Sequence, residues 1–282
     1  MSLAEYAARS GLHRVGARPS LGSYLKQTWE RRDFIVAMAQ SRLRAQLEGN
    51  RLGIGWLLLQ PVLNAAIYGL IFGVLQKDVG SPLTYAAHVV IGVFLFGFFS
   101  SSLIRGAKSI TGNQNLVQSL AFPRLTLPLA EVVQQLLALL PSIALLLVIL
   151  PFLGHWPTLE WLLIIPLLAL FALFNAGIAM IAARLTVHVR DLTQLLPFIS
   201  RILFYTSGVL FDVSRVFVKY PWAVRLFDFH PIYQVLQLGR SLLMGEQLTD
   251  QNYWWYFSAW AVLTFAVGLV FFWSAEERYG RD

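Results

Sequence analysis

The titratable side chains of this 282-residue sequence do not gather into a pattern that supports catalysis. Its five histidines are scattered, and none has a second histidine three or four positions away, the spacing that would let one helix face bind a metal ion. Asp228 and His230 are two residues apart and do not share a helix face, so we interpret them as a polar pair at a helix end rather than a catalytic pair. The phosphate-binding pattern GxxxxGK[ST] does not occur in the sequence. Any nucleotide energy must therefore come from another chain.

Two charged side chains lie inside apolar stretches, where an ion is costly. Glu131 stands beside two glutamines and is interpreted either as a hydrogen-bonding partner of a neighbouring helix or as an ion site. Arg201 is midway along an apolar segment, and an arginine at the centre of a spanning helix costs roughly 2.5–3.5 kcal/mol on insertion scales. Helical spacing places Phe198, Arg201 and Tyr205 on one face. This face either lines a polar path, or Arg201 pairs with Glu131.

The composition predicts a membrane protein, a fold that could position Glu131 and Arg201 among apolar helices. Hydrophobic residues make up 57% and charged residues 13% of the chain, against about 25% charged in soluble domains. The net charge of +7 is better explained by membrane orientation than by nucleic-acid binding, and without cysteine neither disulfides nor thiolate metal sites can form. We predict an all-α fold with a segment 1–53, a six-span domain 54–274 and a tail 275–282. A span needs about 20 apolar residues, and the predicted spans are 54–76, 84–106, 126–150, 161–183, 192–210 and 253–274.

The distribution of lysine and arginine predicts the orientation. Sixteen of the 22 basic residues lie in the N-terminal segment, in the turns after spans two and four, and in the tail, while five lie in the opposite loops. Basic loops tend to stay in the cytoplasm, so both termini are predicted to be cytoplasmic.

Two segments outside the spans carry structure of their own. Residues 20–50 are predicted to form a helix at the membrane interface, with an apolar stripe of Trp29, Val36, Leu43 and Leu47. The external segment 211–252 alternates aromatic, charged and proline residues. It is too apolar for a free loop, and we expect short helices that fold back into the outer leaflet.

Three motifs follow one another along the chain: Leu52, Gly53, Trp56 and Pro61; then Asn115, Leu116, Val117, Phe122, Pro123, Arg124, Leu127 and Pro128; and then Arg190 and Asp191. In this order they resemble the permease subunit of type-2 ABC exporters, in the Wzm-like branch that exports O-antigen, teichoic acid or cell-wall galactan. The resemblance covers about residues 25–275. Two departures, His230-Pro231 in place of Asn-Pro and Ser207-Gly208 in place of Ser-Pro, lie on the external side.

This resemblance implies a transport subunit without enzymatic activity or a cofactor of its own. It implies a homodimer in the bacterial inner or plasma membrane that binds two copies of an ATPase carrying Mg-ATP, and a polysaccharide linked to polyprenyl pyrophosphate as cargo. Residues 211–252 then form external gate helices. An ion-coupled flippase and a membrane-embedded transferase are the alternative classes.

The resemblance also assigns roles to individual residues. A short helix capped by Asn113 or Asn115 would couple to the ATPase, against the simpler interpretation of a plain turn with Arg124 at lipid headgroups. Arg31 and Arg32 would bind the carrier pyrophosphate or anchor to anionic headgroups. The coupling residues are Asn115, Leu116, Leu120, Phe122, Pro123 and Arg124, and the path residues are Tyr68, Phe72, Phe198, Arg201 and Tyr205.

Overall fold

The computed structural model describes residues 19–48, 82–119 and 122–277, together with 53, 55, 56, 58, 59, 62, 63, 66 and 67. The regular elements in this part of the chain are helices. They are α1 Leu21–Glu30, α2 Arg32–Glu48, α3 Pro82–Ala107, α4 Gln114–Ser119, α5 Thr126–Phe152, α6 Ile164–His188, α7 Leu192–Thr206, α8 Val213–Val216, α9 Pro221–Asp228, α10 Pro231–Met244 and α11 Tyr253–Trp273, with 3-10 turns at Thr111–Asn113 and Leu159–Leu163.

Four described helices are long and apolar enough to cross a membrane: α3, α5, α6 with its preceding 3-10 turn, and α11. They correspond to the predicted spans 84–106, 126–150, 161–183 and 253–274, which are confirmed as helices within a few residues. Their outward faces carry large apolar side chains such as Val148, Phe152, Ile165 and Trp255, which are more than half exposed. Apolar faces of this extent suit lipid contact. Most of the predicted span 54–76, including Tyr68 and Phe72, lies outside the described residues.

The predicted span 192–210 is a shorter helix, α7, which ends at Thr206. Fifteen residues extend about 22 Å, less than the roughly 30 Å of a bilayer core. The chain turns at Gly208, whose φ of 71° is a left-handed conformation that favours glycine. Val209 and Leu210 then run buried beneath α10 instead of continuing the helix. A hydropathy pattern does not distinguish such a buried turn from the end of a span.

Helix α6 is central in the bundle and packs against both α11 and α3. The contact with α11 is made at glycines: a Cβ atom on Gly177 would overlap the backbone of Thr264, and one on Gly268 would overlap the backbone of Gly177. Small residues allow helix backbones to approach closely where lipid supplies no hydrophobic drive for association. This pair fixes the crossing of α6 and α11.

The predicted short helices of segment 211–252 are present as α8, α9 and α10. Pro231 opens α10, the side chain of His230 accepts a hydrogen bond from the backbone N–H of Tyr233 at 3.3 Å, and Gly245 ends the helix with φ 70°. The His-Pro pair thus supplies the cap that Asn-Pro would supply. Burial lowers the pKa of His230, which favours the neutral ring that can accept this bond.

The N-terminal helices α1 and α2 meet at Arg31, and α2 packs along α5. The predicted stripe faces outward only in part: Trp29 is 71% exposed and Val36 is also exposed, whereas Leu43 and Leu47 are half-buried. A different face is buried: Tyr24, Thr28, Ile35 and Ala39. An outward apolar stripe on a helix attached to the bundle suits an interfacial position.

Candidate functional site

A cavity of about 690 Å³, here called the polar cavity, opens between the end of α2, Trp56, and helices α3, α5 and α7. Its lining mixes aromatic side chains with hydroxyl, amide and guanidinium groups. Two arginines contribute to it, Arg105 from α3 and Arg201 from α7. The other polar members are Gln46, Ser100, Ser101, Gln135, Ser142, Ser200 and Tyr205.

The predicted path residues are divided by the structure. Arg201 and Tyr205 line the polar cavity, whereas Phe198 lies on α7 outside the lining and is 62% exposed. Helix α7 is held against α3 at the cavity wall, where the Ser200 hydroxyl donates to the Ser100 hydroxyl at 2.6 Å. Arg201 forms no ion pair with any described residue.

Glu131 pairs with Arg42 of α2, so the alternative pairing with Arg201 is not present. The other side of the Arg42 guanidinium donates to the side-chain oxygen of Asn113 at 2.8 Å. Asn113 in turn donates to the carbonyl of Ser109 at 2.7 Å, so its side chain does not cap α4. Arg42 therefore links three elements: α2, α5 and the connector, which we define as residues 108–125.

A second set of polar contacts, the terminal junction, consists of Tyr24, Arg124, Leu125 and Glu276. The Glu276 carboxylate accepts hydrogen bonds from the Tyr24 hydroxyl at 2.6 Å and the Arg124 backbone N–H at 3.1 Å. The Tyr24 hydroxyl accepts one from the Leu125 N–H at 3.1 Å, and the Arg124 guanidinium donates to the Glu276 carbonyl. Arg124 thus contacts the residues that follow α11. The junction ties α1, the connector and the end of α11 together.

The predicted coupling residues occupy different positions in the connector. In α4, Asn115 is exposed, Leu116 is half-buried and Val117 is buried. Phe122 packs against Phe34 of α2, with ring centroids 6.0 Å apart. Pro123 is buried, and Leu120 lies outside the described residues. The outward surface of the connector is formed by its exposed residues, Lys108, Gly112, Gln114, Asn115, Gln118 and Ser119.

Arg31 and Arg32 are both exposed at the bend between α1 and α2. The Arg32 guanidinium lies 5.7 Å from the centroid of the Trp29 ring and 4.0 Å from the Asp33 carboxylate. Neither arginine lines the polar cavity.

At the other end of α3 lies the distal cluster, which we define as Tyr85, His88, Arg240 and Glu246. Arg240 of α10 is fully buried and donates to the carbonyls of Val209 at 2.9 Å and His88 at 3.4 Å. His88 lies 3.4 Å from Glu246, and the Tyr85 hydroxyl donates to the Leu210 carbonyl at 2.9 Å. These contacts attach α10 and the turn after α7 to the start of α3.

Asp228 and His230 are positioned at helix ends, as predicted, and each bonds to its own surroundings. Asp228 ends α9 and accepts a hydrogen bond from the Tyr253 hydroxyl, while His230 caps α10. Their contacts connect α9, α10 and α11 and do not leave a shared polar site.

Sequence reasoning missed the distal cluster, the terminal junction and Arg105. Arg240 lies in a segment of mixed polarity and counts as a loop cation by composition, although it is fully buried. Glu276 is separated by 252 residues from Tyr24, and no local spacing links them. In α10 the polar residues Gln237 and Arg240 stand among apolar neighbours, which indicates a helix buried against other polar groups. The sequence does not identify the groups that Gln237 and Arg240 contact.

The long apolar helices around a polar cavity define an α-helical, membrane-embedded protein of the permease kind. The model of the ABC-2 type transporter family matches residues 34–244, so the chain belongs to that family. It is similar to an O-antigen export system permease protein RfbA of Klebsiella pneumoniae, with 27% identity over 88% of this chain and 93% of the relative. An RfbA of Myxococcus xanthus is 24% identical, over 90% and 94% of the two chains. The polysialic acid transport protein KpsM of Escherichia coli is 21% identical, over 86% and 93%. The resemblance to a Wzm-like permease is thereby confirmed.

Proposed function

We propose that this chain is the permease subunit of an ATP-driven exporter that moves a lipid-linked polysaccharide across the bacterial inner or plasma membrane. The family match over residues 34–244 carries the proposal, and the names of the relatives, O-antigen export permeases and a polysialic acid transporter, support the polysaccharide class. The cargo we propose is a glycan of the O-antigen, teichoic acid or galactan type on polyprenyl pyrophosphate. Hydroxyl, amide and aromatic groups in the polar cavity suit sugar rings.

In this proposal the permease works as a homodimer with two copies of a separate ATPase, which carries Mg-ATP. Both termini face the cytoplasm, as basic residues in the N-terminal segment, the connector and the tail favour. The connector then lies on the side where the ATPase binds, and α8 to α10 form a gate on the external side.

The polar contacts of Arg42 give a physical route from the ATPase to the cavity. The outward surface of the connector, with Asn115 and Gln118, is available for docking. Asn113 in the same connector bonds to Arg42, and Arg42 pairs with Glu131 of α5, a helix that lines the polar cavity. A displacement of the connector by the ATPase would thus move α2 and α5 together.

The ion-coupled alternative is disfavoured by the position of Glu131. A proton- or sodium-driven carrier needs an acidic residue available to its ion. Glu131 is instead occupied by Arg42, and none of the described residues that line the polar cavity is acidic.

ATP turnover tests the proposal directly. The purified permease is assayed with and without an ATPase encoded in a neighbouring reading frame, in proteoliposomes loaded with lipid-linked glycan. We expect ATP-dependent glycan movement that needs both chains. Glycan movement driven by an ion gradient without the ATPase would support the flippase instead.

Docking through the connector has its own test. Replacing the exposed Asn115 and Gln118 by tryptophan should remove the stimulation of ATP turnover while leaving thermal stability unchanged, because neither side chain packs inside the permease. Tryptophan at Gln40, exposed on α2, is the matched control and should have no effect on turnover. Equal turnover in all three proteins would contradict docking at this surface.

A further inference from the structure

The polar cavity has an unbalanced charge. Its described lining contains the guanidinium groups of Arg105 and Arg201 and no carboxylate. Arg201 forms no ion pair in the part of the chain that the structure describes. Arg105 lies close enough to Glu131 for an electrostatic interaction, but the Glu131 carboxylate is bonded to Arg42. The three arginines and one glutamate around this space leave an excess of positive charge.

A buried hydrogen-bond donor in the same cavity also favours an anionic ligand. Gln135 of α5 lines the cavity at 8% exposure, and its amide nitrogen has no hydrogen-bond partner among the described residues. A buried donor without an acceptor is destabilising. An acceptor group that enters the cavity would remove this cost as well as balance the two guanidinium charges.

We propose that the polar cavity binds an oxyanionic group of the exported molecule, a phosphate or a carboxylate, between Arg105 and Arg201. This inference rests on the proposed export function and adds the site and the residues that bind the anionic group of the cargo. Guanidinium groups bind phosphate and carboxylate oxygens through paired N–H donors. A cation would be repelled from this space, and a neutral glycan alone would give no reason for two unpaired charges in a membrane protein.

The anionic group is thus bound by Arg105 and Arg201 and not by Arg31 and Arg32. Those side chains are exposed at the bend between α1 and α2 and are separate from the cavity. They are placed to meet a membrane surface, whereas Arg105 and Arg201, although also exposed, line the polar cavity together with hydroxyl and amide groups.

Anion binding to the full-length permease in detergent tests the inference. The probes are farnesyl diphosphate for a lipid-borne phosphate, inorganic pyrophosphate for a free phosphate, and a sialic acid trimer for glycan carboxylates, with farnesol as the uncharged comparison. We expect at least one anion to bind, and Arg105→Gln and Arg201→Gln each to weaken it about tenfold or more. Arg225→Gln, an exposed arginine of α9, is the matched control and should bind like the unmodified protein.

The probe that binds identifies the source of the anion, and each such result supports the inference when it depends on both arginines. Anion affinities unchanged in the two glutamine variants, or binding of farnesol equal to that of farnesyl diphosphate, would overturn it. If a glutamine variant does not fold, Arg105→Lys and Arg201→Lys replace it. These variants keep the charge but lose the paired donors, and they should bind more weakly than arginine.

The export assay separates this inference from the proposed function. If the unmodified permease exports glycan with its ATPase and the arginine variants do so equally well, the cavity inference fails and the function stands. If anions bind through both arginines but no ATPase supports export, the proposed function fails and the oxyanion site stands.

Discussion

The two ends of the bundle hold their buried charges in different ways. At the distal cluster, the fully buried Arg240 donates to backbone carbonyls of Val209 and His88, which are fixed parts of the chain. At the connector end, Arg42 meets the side chains of Glu131 and Asn113, and Glu276 meets Tyr24 and Arg124. At the distal end a buried arginine is held by backbone carbonyls. At the connector end charged side chains bond to side chains of other helices and of the connector.

This difference indicates where the molecule can move. Carbonyl acceptors carry no charge that can be removed, and the Arg240 guanidinium is enclosed, so α10, α3 and the turn after α7 behave as one unit. Contacts between side chains of α1, α2, α5 and the connector can exchange partners without unfolding a helix. We therefore place the movable contacts at the connector end, and the following variants test this contrast.

The largest effect is expected from Arg240→Met. Methionine keeps much of the apolar length but leaves the Val209 carbonyl buried without its donor, at a cost of about 3 kcal/mol. Thermal unfolding in mild detergent should show a clearly lowered midpoint. Arg201→Met, in the exposed side of the polar cavity, should change stability by less than about 0.5 kcal/mol. Equal losses in the two variants would remove the contrast between a structural and an unpaired arginine.

The second effect is expected from Arg42→Met, which leaves the largely buried Glu131 carboxylate without its cation. We expect a loss of about 2 kcal/mol, and Arg42→Met combined with Glu131→Gln should lose less than the sum of the single variants. The measurement is a double-mutant cycle on thermal stability, with ATP turnover measured in parallel. Strict additivity would show that the pair contributes nothing to holding α2 on α5.

Hydropathy was enough to predict the parts of the fold that depend on local sequence. The helices α3, α5, α6 and α11 were predicted within a few residues because long apolar runs have one stable arrangement in a membrane. The end of α7 was not, because it depends on Gly208 turning beneath α10, a contact between distant segments.

The candidate site was predictable only in part for the same reason. Arg201 and Tyr205 emerged from helical spacing and do line the polar cavity. One of the two interpretations of Arg201 paired it with Glu131, because both lie in apolar segments. The observed partner of Glu131, Arg42, comes from a helix whose polar residues are assigned to solvent by periodicity. Phe34, off the predicted stripe of α2, fails to fit the amphipathic pattern because it packs on Phe122.

The third effect concerns the space beside Arg240. A Cβ atom on Gly92 would lie 2.8 Å from the Arg240 guanidinium and 3.0 Å from the Val209 carbonyl. Gly92→Ala should therefore lower stability by about 1–2 kcal/mol through overpacking. Gly97→Ala in the same helix is the matched control, since no heavy atom lies within 4 Å of its Cβ position. A Gly92→Ala protein as stable as Gly97→Ala would show that Arg240 is not locked.

The smallest effect is a pH dependence at the connector end. Burial raises the pKa of the Glu276 carboxyl above its ordinary value of 4.5, against the hydrogen bonds from Tyr24 and the Arg124 backbone and the charge of Arg124. A carboxyl that binds its proton more tightly in the folded chain adds stability below its unfolded pKa, and this stability is lost as pH rises through the folded value. The terminal junction should therefore weaken as pH increases from about 4.5.

Glu276→Gln tests this dependence, since its amide can accept from the Arg124 N–H and donate to the Tyr24 oxygen without a titrating proton. Thermal midpoints measured at a series of pH values should fall less steeply above pH 4.5 in this variant than in the unmodified protein. Glu160→Gln, at an exposed position, should follow the unmodified protein. Parallel curves for all three proteins would mean that the Glu276 carboxyl does not titrate differently on folding. The contrast between the two ends would then rest on the exchangeable Arg42–Glu131 pair, set against the buried Arg240 held by backbone carbonyls.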